Sequence, residues 1–128
     1  MRELIAQRVD FAFETTLASK SYVSLLRQAK QNNYQIHLIF LWLNSIELAK
    51  ERVKQRVQNG GHNIPKDVIE RRYISGIRNL NELYITFVDS WRIYDNSDNM
   101  HKLIAEGLKN KRTEIIDRDI YLKICHGK

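Results

Sequence analysis

Apolar residues along the chain recur at two spacings, and the switches between them delimit the elements. Glu3 to Arg8 reads as the end of a helix, after which the chain turns at Val9-Asp10 into Phe11-Ala12-Phe13, a short apolar strand ending in Glu14-Thr15-Thr16. Ser21 is placed to cap a helix whose Tyr22, Leu25, Leu26 and Ala29 share one face and which ends near Asn32-Asn33. Gln35 to Leu43 is an almost unbroken apolar run, the pattern of a central parallel strand buried on both faces. Asn44 and Glu47 have capping-box spacing, opening a helix that buries Ile46, Ala49, Val53 and Val57 and shows Lys50, Arg52, Lys54 and Arg56 outward. Gly60-Gly61 ends it.

After His62-Asn63-Ile64-Pro65, a stripe of Ile69, Tyr73, Ile77, Leu80, Tyr84 and Phe87 predicts a long helix over residues 66–88. Trp91 to Tyr94 reads as the next strand, closing at Asp95-Asn96-Ser97. In the tail, Lys102 to Gly107 and Arg112 to Asp117 read as strands of a hairpin or meander, and Ile120 to Ile124 as a final strand or helix. Strands alternating with amphipathic helices imply an α/β fold with a parallel sheet, as one unit over residues 1–128.

Composition narrows the setting. The chain is 43% apolar and 28% charged, which is ordinary for a globular protein and unlike a disordered one. A net charge of +6 favours anionic partners. Cys125 is the single cysteine, so the chain can form no internal disulfide, and a cytoplasmic setting is expected. The apolar run Ile36 to Leu43 is far too short to cross a bilayer, and the first residues have no signal-peptide core.

Three segments carry candidate chemistry. Glu14, Thr15 and Thr16 follow a strand, and open parallel sheets bind ligands beyond the carboxyl ends of their strands. A carboxylate there can hold a substrate hydroxyl, assist a metal or accept a proton; equally, these residues can cap the following turn. Arg52, Arg56, His62, Arg71 and Arg72 flank the glycine loop, which suits a lid of about residues 52 to 72 closing over phosphates. Guanidinium groups bind phosphate oxygens two at a time and stabilise a phosphoryl group in transit. The same arginines also fit a solvated face paired with Glu47, Glu51 and Glu70. Tyr94-Asp95-Asn96-Ser97 is another strand end, either reading a nucleobase edge or forming a polar turn. His37 reads as a core residue; His62, His101 and His126 lack metal-ligand spacing, so no metal site is expected. Ser19 and Ser21 sit in no nucleophile elbow, and no nucleic-acid motif accompanies the basic residues.

Taken in series, these segments resemble the zeta-toxin-type P-loop kinases. The resemblance rests on Phe11-Ala12-Phe13-Glu14-Thr15-Thr16-Leu17, Leu41-Trp42-Leu43-Asn44-Ser45 with Glu47-Leu48-Ala49, Arg52-Val53, Arg56-Val57 and Gly60-Gly61-His62. It continues through Ile64-Pro65, Ile69-Glu70-Arg71-Arg72-Tyr73, Asn79-Leu80 and Tyr94-Asp95-Asn96-Ser97, and covers roughly residues 3–107. It implies an ATP-dependent small-molecule kinase; zeta toxins phosphorylate UDP-N-acetylglucosamine. By that analogy Glu14, Thr15 and Thr16 line the acceptor side, and Arg56, Arg71 and Arg72 act on the phosphates. Arg52, His62 and Asn96 would then sit with the nucleotide.

ATP and magnesium are implied by the family, and binding by these residues alone is doubtful, because G-x-x-x-x-G-K-[ST] occurs nowhere in the 128 residues. The family's first strand, phosphate loop and catalytic acid would precede Met1, so the expectation is a truncated sheet, inactive alone. The alternative expectation is a non-catalytic module that binds an antitoxin, the missing N-terminal half or a second copy of itself.

Overall fold

The computed structural model describes residues 2–98, 100–109 and 113–126. Helix α1 (Arg2–Gln7) leads through an extended stretch to α2 (Tyr22–Gln31), then strand β1 (His37–Trp42) and helix α3 (Ile46–Gln58). Helix α4 (Lys66–Asn79) runs into a π-helical segment, Leu80–Tyr84, and a last turn, α5 (Ile85–Phe87). Strands β2 (Ser90–Asp95), β3 (Lys102–Leu108) and β4 (Glu114–Ile115) come next, with α6 (Arg118–Cys125) at the end.

The strands form one sheet in the order β1-β2-β3-β4. Only β1 and β2 are parallel; β2–β3 and β3–β4 are antiparallel. The parallel pairing expected from strand–helix alternation is that of β1 with β2, and the tail strands add as an antiparallel meander, because a short connection can only join antiparallel neighbours. The fold is α/β, a sheet flanked by helices.

Hydrophobic burial is concentrated on one side of this sheet. Trp42, Trp91, Ile93 and Ala105 pack against Ile77, Leu80 and Tyr84 of the long helix and Ile124 of α6. Leu38 and Phe40 of β1 pack against the same core. A smaller cluster, Ile5, Leu25 and Ala29 with Phe11 and Tyr34, seats α1 against α2. The opposite face is open at β1, where Ile39 and Leu41 are 62% and 48% exposed. This corrects the reading of β1 as a strand buried on both faces: it is an edge strand with one face in solvent.

Other expectations are corrected locally. Phe11-Ala12-Phe13 forms no strand; it is extended chain with no ladder partner, its rings packed on Tyr34 and Tyr22. The cap of α3 is Ser45 rather than Asn44, because the Ser45 hydroxyl accepts from Leu48 N–H at 3.1 Å. Ser21 precedes α2 but makes no side-chain cap. Of the proposed strand at residues 112–117, Glu114–Ile115 is a strand, and residues 110–112 lie outside the described residues. Residues 120–124 are helical, within α6, capped by Asp117.

At the amino ends of β1 and β2, Asp89 ties the two strands together. Its carboxylate accepts from Ile36 N–H at 2.7 Å and faces Lys30 at 3.6 Å. That backbone bond holds the Asp89 carboxyl below its ordinary range against the opposing push of burial, and Lys30 and Lys109 add to it.

Candidate functional site

Three features gather around α4 and the carboxyl ends of β1 and β2. The first is the loop Glu14–Ser19. Thr15 Oγ1 accepts from Leu17 N–H at 3.2 Å and Thr16 Oγ1 from Ala18 N–H at 3.3 Å, so both hydroxyls shape a turn. Leu17 is buried at φ +59°, a left-handed conformation that costs a branched, bulky residue about 1 kcal/mol or more. The long helix holds it there. Asn79 Nδ2 donates to Leu17 O at 2.7 Å and to Ala18 O at 3.1 Å. Tyr84 Oη donates to Ser19 O at 2.6 Å. Gly76 lets the helix approach so closely that a Cβ there would stand 2.5 Å from Thr16 O. Glu14, Thr15 and Thr16 are left exposed on the outside of this supported loop.

The π-helical segment lies between two of these contacts. Asn79 ends the regular helix and Tyr84 ends the wider turn. One extra residue per turn rotates the rest of the helix, so Asn79 and Tyr84 both reach the loop although they stand five positions apart. Burial raises the Tyr84 phenol above its ordinary range.

The second feature is a clamp on the strand ends. Asn96 N–H donates to Trp42 O at 2.8 Å, Asn44 N–H to Ser97 Oγ at 2.9 Å, and Ser97 N–H to Asp95 Oδ1 at 2.9 Å. Arg52 Nη2 of α3 donates to the Asn96 and Ser97 carbonyls at 2.9 and 3.1 Å. Tyr73 Oη of α4 donates to Leu43 O at 2.5 Å, and its phenol is raised by burial. Helices α3 and α4 are thus pinned to both strand ends by one side chain each, and Lys50 of α3 reaches Glu70 of α4 at 3.5 Å.

The third feature is the exposed outer side of that helix pair, from the Gly60-Gly61 loop at its far end to Arg71 and Arg72 next to Tyr73. Gly60 at φ +94° ends α3, and Gly61 N–H donates to Arg56 O at 2.7 Å. His62 is exposed in the loop beyond. Arg56, Arg71 and Arg72 are exposed, and none of the ion pairs or side-chain hydrogen bonds among the described residues engages them. Arg71 borders an open groove on α4 with Asp67, Glu70, Ile74, Ser75 and Arg78. All the walls belong to one helix, so this is a surface furrow rather than an enclosing pocket.

The structure therefore brings Arg52 and Asn96 together, through a backbone carbonyl. It hangs Glu14–Thr16 and the Arg71-Arg72 pair on the same helix, with no hydrogen bond or ion pair joining them among the described residues. Sequence reasoning missed Gly76 and Asn79 as the residues that set the Glu14–Ser19 loop. A polar Asn79 beside Leu80 on an apolar stripe was the available signal, since a buried amide must be bonded. The Arg52 guanidinium, expected beside the nucleotide, holds the Asn96-Ser97 turn. Among the described residues, no group of three His, Cys, Asp or Glu is placed to hold a metal ion, and no helix is long and apolar enough to cross a membrane.

Among known proteins, the Zeta toxin family model matches residues 1–108. An uncharacterized protein of Haemophilus influenzae is 36% identical over 69 residues, which are 54% of this chain and 49% of that protein. The chain thus aligns with about half the length of this curated relative. No solved structure matches.

Proposed function

The chain belongs to the Zeta toxin family, and from that premise we propose that it supplies the acceptor and phosphate-facing parts of an ATP-dependent small-molecule kinase. Residues of about 52–72 form the lid in this reading. The observation that carries it is the arrangement of α3 and α4. Their base is fixed to the strand ends by Arg52 and Tyr73, while Arg56 near the glycine-ended loop and Arg71 and Arg72 next to Tyr73 stand unpaired among the described residues. Exposed, unneutralised guanidinium groups on a firmly based hairpin can meet phosphate oxygens without first breaking ion pairs. The loop Glu14–Thr16 on the same helix then offers a carboxylate and hydroxyls to an acceptor, with a nucleotide sugar such as UDP-N-acetylglucosamine the first acceptor to test.

The residues present fit only part of what ATP and magnesium need. Three arginines suit the outer oxygens of a polyphosphate. A cradle of backbone amides, its lysine and the hydroxyl that holds magnesium have no counterpart in the 128 residues, so no phosphoryl-transfer step is assigned to them.

Titration of the chain with UDP-N-acetylglucosamine and with ATP, monitored by calorimetry, tests this reading. Saturable binding is expected, weakened about tenfold when Arg56, Arg71 or Arg72 is changed to Ala, in line with the loss of a charge-assisted bond. Binding of neither ligand, or binding indifferent to all three changes, would refute it. The 128 residues alone are expected to transfer no phosphate from magnesium-ATP.

A further inference from the structure

Arg71 and Arg72 are neighbours in the chain, and the helix sends them to different flanks. Successive helical residues stand about 100° apart, so a flank is shared at spacings of three, four and seven. Arg71 shares its flank with Asp67, Ile74, Ser75 and Arg78, which line one open furrow. Arg72 stands four residues before Gly76 and seven before Asn79. Those two residues carry the Glu14–Ser19 loop: a Cβ at Gly76 would stand 2.5 Å from Thr16 O, and Asn79 Nδ2 donates to Leu17 O at 2.7 Å. Arg72 therefore lies on the loop-bearing flank, one turn, about 5.4 Å, beyond the point where the loop touches the helix.

The two flanks differ in charge. Asp67 lies four residues before Arg71, the spacing of a helical neighbour, and borders the same furrow. At the corresponding positions around Arg72 stand Val68, Ile69, Ser75 and Gly76, none of them acidic. The carboxylate that the loop brings to this flank is Glu14, two residues before Thr16. Glu14 and Arg72 are both exposed, and they form no ion pair with each other. The Thr15 and Thr16 hydroxyl oxygens already accept N–H groups within the loop. Glu14 is thus the acceptor that the loop leaves without a partner among the described residues. A guanidinium and a carboxylate held apart on one flank suit a ligand that carries both an anion and a hydroxyl. The guanidinium forks onto the anion, and the carboxylate accepts from the hydroxyl.

We propose that Arg72 serves the acceptor rather than the nucleotide donor. It takes a phosphate or diphosphate that the acceptor carries beside the hydroxyl held by Glu14, while Arg71, on the other flank, meets the phosphates of the donor. This inference rests on the kinase reading and divides its lid arginines between two ligands. It makes Arg72 a specificity-determining residue, one that selects anionic acceptors over neutral ones.

Calorimetric titration of the 128-residue chain separates the two ligands. ATP is titrated alone. UDP-N-acetylglucosamine is titrated with ATP in excess and magnesium left out, so that the acceptor cannot borrow the donor's place. Arg72→Ala should weaken UDP-N-acetylglucosamine binding about tenfold and change ATP binding by less than about twofold; Arg71→Ala should do the reverse. Arg72→Lys, which keeps the charge and loses the fork, should recover part of the acceptor affinity, and urea unfolding should show all three variants as stable as the native chain. An Arg72→Ala variant that binds the acceptor as the native chain does, or that loses ATP as strongly as Arg71→Ala does, would overturn the inference and leave the kinase reading standing. Binding of neither ligand by the native chain would overturn both.

Discussion

The loop Glu14–Ser19 and the loop Asn59–Pro65 are carried by the same long helix, and they are held in opposite ways. The first is gripped along its length. Gly76, Asn79 and Tyr84 contact four consecutive residues of it, Thr16 to Ser19, and they fix Leu17 in a conformation it would not keep alone. The second, among the described residues, has backbone hydrogen bonds at its stem, such as Gly61 N–H on Arg56 O, and a half-buried Ile64 before Pro65 opens α4. In the kinase reading proposed above, the difference separates a preformed part of the binding surface from a part with few fixed contacts. A loop that presents an acceptor gains from being rigid before the ligand arrives. A loop that must fold over phosphates gains from being free until then.

Substitutions can break this contrast from either side. Gly76→Ala should have the largest effect. Its methyl group would meet the Thr16 carbonyl at 2.5 Å, which is backbone and cannot swing aside. A loss of about 2 to 3 kcal/mol in urea unfolding is expected, with faster hydrogen exchange at Leu17 and Ala18. Gly60→Ala comes next. Its backbone at φ +94° has open space around it, so the cost is conformational alone, about 1 kcal/mol. Exchange in Glu14–Ser19 should not change. The smallest stability effect belongs to Arg71→Ala, within about 0.5 kcal/mol, as for an exposed side chain without a partner. The same variant should nevertheless weaken nucleotide binding. A large stability loss there would show that Arg71 is structural and erase the distinction between the loops.

Much of this organisation was legible in the sequence, for reasons that can be located. The long helix was visible because Ile69, Ile77, Leu80 and Tyr84 repeat at helical spacing and are all buried. Gly60-Gly61 marked the end of α3 because a left-handed residue there needs glycine. The family was visible because many short segments recur in order. What could not be read was set by partners distant in the chain. Phe11-Ala12-Phe13 has strand composition, and composition cannot say whether a neighbouring strand exists to pair with it. The run from Gln35 to Leu43 has the pattern of burial on both faces, and the structure covers only one. The roles of Arg52 and Asn79 depend on carbonyls 44 and 62 positions away, which no local pattern encodes.

Asp89 has a consequence for how the molecule responds to acid. Its carboxyl titrates below the ordinary value of 3.8, chiefly because its charged form accepts the Ile36 N–H. A depressed carboxylate lends its full stabilisation above the unfolded value and surrenders it as pH falls through the folded one. Asp89 sits at the amino ends of β1 and β2, remote from the Arg52 clamp. Below about pH 3.8 the two parallel strands should therefore begin to part from the end away from the arginines. Amide exchange at Ile36 should accelerate ahead of exchange at Asn96, and Asp89→Asn should abolish that order. Acid would thus loosen the pairing of β1 and β2 first at its foot, the end away from the Arg52 clamp.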